Sequence, residues 1–184
     1  MYIIAGNVSK EISQNGLAKT IGIKNSSTIK EYLQYFEDSY LAFTLLKFDD
    51  SLKRQILAPR KVYFIDTALA KNISFRRSED FGRILENIIY LELKRRGGDI
   101  FYFKGQQECD FINLKQDGTS LYQVCYDLTD ETTKKREIGG LLEAMMFFKL
   151  DFGYILTMAE ENIIKIDAKT ISIIPAWKWL VGFR

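Results

Sequence analysis

Six residues between positions 86 and 127 are of the types that support metal-assisted phosphodiester chemistry: Glu86, Glu108, Asp110, Gln123, Cys125 and Asp127. Side chains alternate along a strand, so Glu108 and Asp110 share one face of theirs, and Gln123, Cys125 and Asp127 share one face of the next. Neighbouring strands lie about 4.8 Å apart, close enough for two carboxylates to bridge one Mg²⁺. Such a cation would acidify a bound water and neutralise charge on a scissile phosphate. Histidine is absent from the chain, which excludes His-based triads and His-ligated zinc and leaves carboxylate-held Mg²⁺ or Mn²⁺ as the main catalytic option. Each group also has a structural reading. Glu86 can pair with Arg83, Glu108 and Asp110 can form a solvated hairpin face, and Gln123 and Cys125 can simply pack. Arg136-Glu137 has the look of a surface ion pair.

The elements that must hold these groups are legible from periodicity. Phe81–Arg96 repeats apolar residues at helical spacing, with Glu86 near the apolar face, and Gly97-Gly98 closes that helix. Residues 100–103, 108–114 and 120–128 are expected as three strands, the last two joined by an Asp117-Gly118 turn. A helix over 133–150 follows, with Ile138, Leu141, Leu142, Met145 and Met146 on one face. Residues 152–157, 163–166 and 171–174 are short strands, and Trp177, Trp179, Leu180 and Val181 make a terminal helix or strand.

The N-terminal part reads as a helix–turn–helix unit over residues 7–46. Ile12, Leu17, Ala18 and Ile21 supply its contacts and Gly22 its interhelical turn. Thr28-Ile29-Lys30-Glu31 fits a capping box, followed by an apolar stripe of Ile29, Tyr32, Leu33, Phe36 and Tyr40. The exposed face, with Glu31 and Asp38 beside Lys30 and Gln34, suits a partner surface or a weak DNA contact. Residues 41–48 are expected as a strand and 53–57 as its return, forming a wing. Lys53, Arg54, Arg60 and Lys61 then place four cations on or beside that wing, a nucleic-acid contact or a solvated basic rim. Arg76-Arg77-Ser78-Glu79-Asp80 reads as an exposed loop.

Composition fits a globular chain of 184 residues, 47% apolar and 27% charged. A net charge of +2 permits a polyanion contact without implying one. Apolar runs fall far short of the roughly 20 residues that span a bilayer, and a basic-then-apolar leader is missing from residues 1–30, so a cytoplasmic, non-membrane protein is expected. Cys109 and Cys125 are expected as buried, reduced thiols.

A helix Glu, an Asp on a strand and a Glu-x-Lys pair on the next strand form the pattern of PD-(D/E)XK nuclease-like folds. More specifically, the chain resembles the C-terminal region that follows the ATPase module in a family of prokaryotic AAA-type ATPases. The resemblance rests on Lys61-Val62-Tyr63-Phe64-Ile65-Asp66-Thr67, Gly82-Arg83-Ile84-Leu85-Glu86-Asn87 and Glu108-Cys109-Asp110-Phe111, preceded by Thr28-Ile29-Lys30-Glu31-Tyr32-Leu33. It implies an α/β (α+β) architecture, a winged-helix module over 1–60 and a restriction-endonuclease-like mixed sheet flanked by helices over 61–184. It implies Glu86, Asp110 and Gln123 at catalytic positions and Asp110, Glu86 and Glu108 as ligands for Mg²⁺. The Glu-x-Lys pair falls on Gln123-Val124-Cys125, however, with neither the acid nor the lysine. A neutral amide carries no charge, and a thiol cannot replace an ammonium that stabilises a crowded phosphate. The expectation is therefore a catalytically degraded module that contacts DNA or a partner and serves an ATPase in the same polypeptide. An active Mg²⁺-dependent nuclease and an oligomerisation domain are the alternatives. The sequence contains no G-x-x-x-x-G-K-[ST] motif for ATP.

Overall fold

The computed structural model describes residues 1–74 and 80–182. It is an α+β architecture: N-terminal helices with a small sheet, then an open mixed sheet flanked by helices. The chain divides into two units, one up to Arg83 and one from Ile84 onward.

The first unit contains α1 (Tyr2–Ala5), β1 (Glu11–Ile12), α2 (Gln14–Ile21), α3 (Ser26–Asp38), β2 (Ala42–Leu45), α4 (Leu52–Leu57), β3 (Arg60–Phe64) and α5 (Thr67–Ile73). Its strands are antiparallel in the order β1-β3-β2. The strand at 60–64, assigned above to the second module, thus lies at the centre of the first unit's sheet. Val62 and Phe64 point from β3 into a core built with Ile4, Ile12, Leu17, Ala18, Ile29 and Leu33. Gly22 ends α2 at φ 76°, a left-handed conformation in which glycine is favoured.

Three expectations are corrected here. Residues 53–57 are not a return strand; they belong to α4. Ser51 caps α4 by accepting from the Arg54 amide, and Asp49 accepts from the Ser51 amide and pairs with Arg54, so local polar contacts favour a helical turn. The return strand is β3, which pairs Phe43 with Tyr63. Next, α3 starts at Ser26, because Asn25 caps it through the Ser27 amide, ahead of the Thr28 box. Finally, Tyr32 and Tyr40 are exposed, since the buried stripe narrows to Ile29 and Leu33. Arg76, Arg77, Ser78 and Glu79 of the expected loop lie outside the described residues.

The second unit is formed by α6 (Phe81–Arg96, which begins just before it), β4 (Asp99–Lys104), β5 (Glu108–Lys115), β6 (Gly118–Val124), α7 (Glu131–Phe147), β7 (Phe152–Thr157), β8 (Asn162–Ile166), β9 (Lys169–Pro175) and α8 (Ala176–Leu180). The sheet order is β4-β5-β6-β7-β9-β8. β4, β5 and β6 form an antiparallel meander, and β6 and β7 are parallel neighbours. Parallel neighbours need a crossover, and α7 provides it. On one face α7 lies close to β5: a Cβ added to Gly140 would stand 2.1 Å from the Glu108 carbonyl oxygen. Glu143 of α7 also accepts from the Gln106 and Gln107 amides at 2.8 and 2.7 Å, fixing the β4–β5 turn. On the other face Tyr90 of α6 meets Phe111 at 6.2 Å, and Arg96 lies 3.9 Å over the Trp179 ring of α8. No helix among the described residues is long and apolar enough to cross a membrane.

Candidate functional site

Antiparallel register pairs Phe111 of β5 with Tyr122 of β6, so one step further along Asp110 stands beside Gln123. Both are buried, Asp110 at 6% and Gln123 at 4% exposure. The Asp110 amide donates to Gln123 Oε1 at 3.2 Å, and the Val124 amide donates to Asp110 Oδ2 at 3.0 Å. Two backbone donors thereby fix the carboxylate and the amide side by side, where β6 ends and its ladder with β5 stops.

The third member comes from α7. Asp130 caps that helix by accepting from the Thr133 amide at 2.6 Å, which sets the helical phase of the residues that follow. Glu137 then falls on the stripe of Leu141, Ala144 and Met145, one turn before Leu141, and is only 7% exposed. Its Oε2 accepts from Gln123 Nε2. Its Oε1 accepts from Arg136 Nη2 at 2.5 Å and Nε at 3.1 Å. A buried carboxylate requires such partners, because desolvating an unpaired charge costs several kcal/mol. The result is one chain of bonds, Asp110–Gln123–Glu137–Arg136, running from the sheet to a guanidinium whose side chain is 68% exposed.

Arg136-Glu137 is thus a part of this cluster and not the surface ion pair expected. The missed signal was positional. An acid four residues before Leu141 sits on the buried stripe, whereas Met146, assigned to that stripe, is exposed.

Cys125 is buried beyond the end of β6, its Sγ 2.9 Å from the Asp127 carbonyl oxygen. Burial first, and the Glu137 carboxylate second, push its thiol up to about 12. It is a neutral thiol at the position where the resemblance implies a lysine. Neither cysteine is in a disulfide, and both are buried, as expected.

Of the other expected site residues, Glu108 lies on β5 and Glu86 on α6. Glu108 opens β5 and pairs with Lys104 Nζ at 3.6 Å. Glu86 is partly buried on α6, one turn before Tyr90, and Tyr90 meets Phe111, whose side chain leaves β5 on the face opposite Asp110. Among the described residues no group of three or more Cys, Asp and Glu is arranged to hold a metal ion. The expected Mg²⁺ ligands Asp110, Glu86 and Glu108 therefore do not form a set. The Asp110 carboxylate accepts from the Val124 amide, and Gln123 links the Asp110 backbone amide to Glu137, a carboxylate bound to a guanidinium.

Of the four cations assigned to the wing, Lys53 and Arg54 are exposed on α4, with Arg54 bound to Asp49 at 2.8 Å. The Arg54 guanidinium holds the Asp49 carboxyl below its ordinary range. Arg60 is partly buried and donates to Thr44 Oγ1 at 3.4 Å. Lys61 is 2% exposed, opposite Glu11 in the β1–β3 register, and is a core residue rather than a phosphate contact.

Residues 1–80 match a family model described as a domain of unknown function, DUF8612. The chain is similar to "Uncharacterized protein MJ1544" of Methanocaldococcus jannaschii, 38% identical over 196 aligned positions that cover 98% of this chain and 43% of the relative. It is also similar to an "Uncharacterized protein" of Haemophilus influenzae, 25% identical over 137 positions that cover 72% of this chain and 34% of the relative. The chain thus spans less than half the length of these curated relatives. No solved structure matches it significantly.

Proposed function

We propose that the chain is a winged-helix segment joined to a PD-(D/E)XK nuclease-like domain whose catalytic site is degraded. In this reading it contacts DNA or a protein partner on behalf of an AAA-type ATPase module in the same polypeptide. The single observation that carries the loss of catalysis is the state of Gln123: its amide is spent on Asp110 and Glu137, and a thiol, not a lysine, stands two residues on. The order α6-β4-β5-β6-α7-β7, with three antiparallel strands and a parallel fourth, supports the nuclease-like scaffold. The helix pair α2–α3 followed by β2 and β3 supports the winged helix. The greater length of the relatives leaves room for an ATPase module.

The test is a cleavage assay on single- and double-stranded DNA with Mg²⁺ or Mn²⁺, comparing the chain with Asp110→Ala. Equal, background-level turnover is expected. Cleavage by the unsubstituted chain that Asp110→Ala abolishes would establish an active metal-dependent nuclease instead.

A further inference from the structure

We propose that Glu37 of α3 guards the open edge of the first unit's sheet and holds a second copy of the chain off β2. Only the first unit is involved, so the nuclease-like reading of the second is not drawn on.

β2 lies at the end of the order β1-β3-β2, and among the described residues no strand pairs with its outer side. Which of its amides face outward follows from the register. The Ile65 amide donates to the Leu41 carbonyl at 3.2 Å, so Leu41 and Ile65 are a hydrogen-bonded pair. Alternation along an antiparallel ladder makes Phe43–Tyr63 and Leu45–Lys61 the next such pairs. Thr44, opposite Val62, therefore turns its amide and carbonyl away from β3. An edge of this kind is a template for another strand. Residues 41–48 would serve well as one, being largely apolar and aromatic, with Lys47 their one charge and neither Pro nor Gly among them. An antiparallel pairing of β2 with β2 of a second copy is self-complementary, because the same strand meets itself about a two-fold axis.

Glu37 occupies the position such a strand would need. The Thr44 amide donates to Glu37 Oε1 at 2.7 Å, and the Thr44 hydroxyl donates to the same oxygen at 2.6 Å. Arg60 Nη1 of the central strand donates to that hydroxyl oxygen at 3.4 Å, which leaves the hydroxyl proton for Glu37. The carboxylate thus stands where the carbonyl of an incoming strand would have to be. A hydrogen bond to an ionised acceptor is about twice as strong as one between neutral groups, so a backbone carbonyl competes poorly for this donor. Two copies joined β2 to β2 would also bring two such carboxylates onto one seam, where like charge opposes pairing.

The experiment compares the unsubstituted chain with Glu37→Ala, Glu37→Gln and Glu37→Ala/Thr44→Pro. Light scattering after size exclusion, over a range of concentrations, gives the mass, and amide hydrogen exchange reads Thr44. Glu37→Ala should gain a concentration-dependent species of higher mass. Glu37→Gln should keep the mass of the unsubstituted chain, because its side-chain carbonyl still accepts from Thr44. The double variant should return to that mass too, since proline offers an incoming strand no donor. In dilute solution the Thr44 amide should exchange roughly tenfold or more faster in Glu37→Ala than in the unsubstituted chain. Glu37→Asp, one methylene short of Thr44, replaces Glu37→Ala should that variant not fold, with the same expectations.

A Glu37→Ala variant, folded by circular dichroism, that has the mass of the unsubstituted chain at every concentration overturns the proposal. Glu37 would then be a tether between α3 and β2, even if the variant unfolds more easily. Free exchange of the Thr44 amide in the unsubstituted chain overturns it as well. So does assembly of Glu37→Gln or of the double variant to the same extent as Glu37→Ala, which would place the contact elsewhere. All of these are read without DNA or metal, so they are independent of the cleavage assay.

Discussion

The chemistry of the site is decided by which side chains carry charge. Cys125 shows this most directly, since burial and the neighbouring Glu137 push its thiol up to about 12. A raised pKa favours the protonated form in the folded state. The contribution to stability is therefore complete below the unfolded thiol's pKa of about 8.5 and declines as pH rises from there towards 12. In Cys109→Ala, which leaves one thiol, alkylation of Cys125 at pH 8 should be slow in buffer and fast in urea. The urea midpoint should fall between pH 8.5 and 10, and a further Cys125→Ala substitution should flatten that fall. Rapid stoichiometric labelling of the folded chain would show a thiolate and contradict the neutral-thiol assignment.

Elements decide which of these side chains meet. α7 reaches β5 only because Gly140 has no side chain at the point of closest approach, where a Cβ would stand 2.1 Å from backbone oxygen. Backbone cannot swing aside as a flexible side chain can, so Gly140→Ala must push α7 off the sheet. Overpacking of this kind costs about 1–3 kcal/mol, and it should also weaken the Glu137–Gln123 contact one turn away. Urea denaturation measures the first effect, and a gain in Cys125 labelling measures the second. A variant as stable as the parent would mean that α7 is not held this tightly. Much of this unit was legible in the sequence. Phe81–Arg96 and Phe152–Thr157 match their predicted bounds because strong periodicity and glycine or turn residues mark their ends. Two features were not legible for physical reasons. Residues 53–57 have too few residues to show a period, and the contacts among Asp49, Ser51 and Arg54 that favour α4 are local polar ones. Glu137 looked like surface because charge is normally exposed, and only the tertiary approach of α7 to Gln123 makes it a buried partner.

At the scale of the whole molecule, the charge that could meet DNA is small and unevenly placed. Net charge is +2, and residues 1–75 carry 10 Lys and Arg against 7 Asp and Glu. Of the four cations once grouped on the wing, Lys61 is buried and Arg60 is partly so, which leaves Lys53 and Arg54 on α4 as the exposed pair. Arg54 is further offset by Asp49. Any phosphate contact through this surface must be weak and only modestly salt-dependent, since each neutralised phosphate adds about 0.9 to the slope of log K against log salt and two cations give at most about 2. Lys53→Glu/Arg54→Glu should therefore lower DNA affinity and reduce that slope by about 1–2. Lys61→Met should leave the slope unchanged and alter stability instead. Fluorescence anisotropy of a labelled duplex between 50 and about 200 mM salt measures the slopes, and urea denaturation measures the stability of Lys61→Met. An unchanged slope in the charge-reversal variant would remove α4 from the interface, and the DNA-contacting half of the proposed function would then rest on the second unit alone.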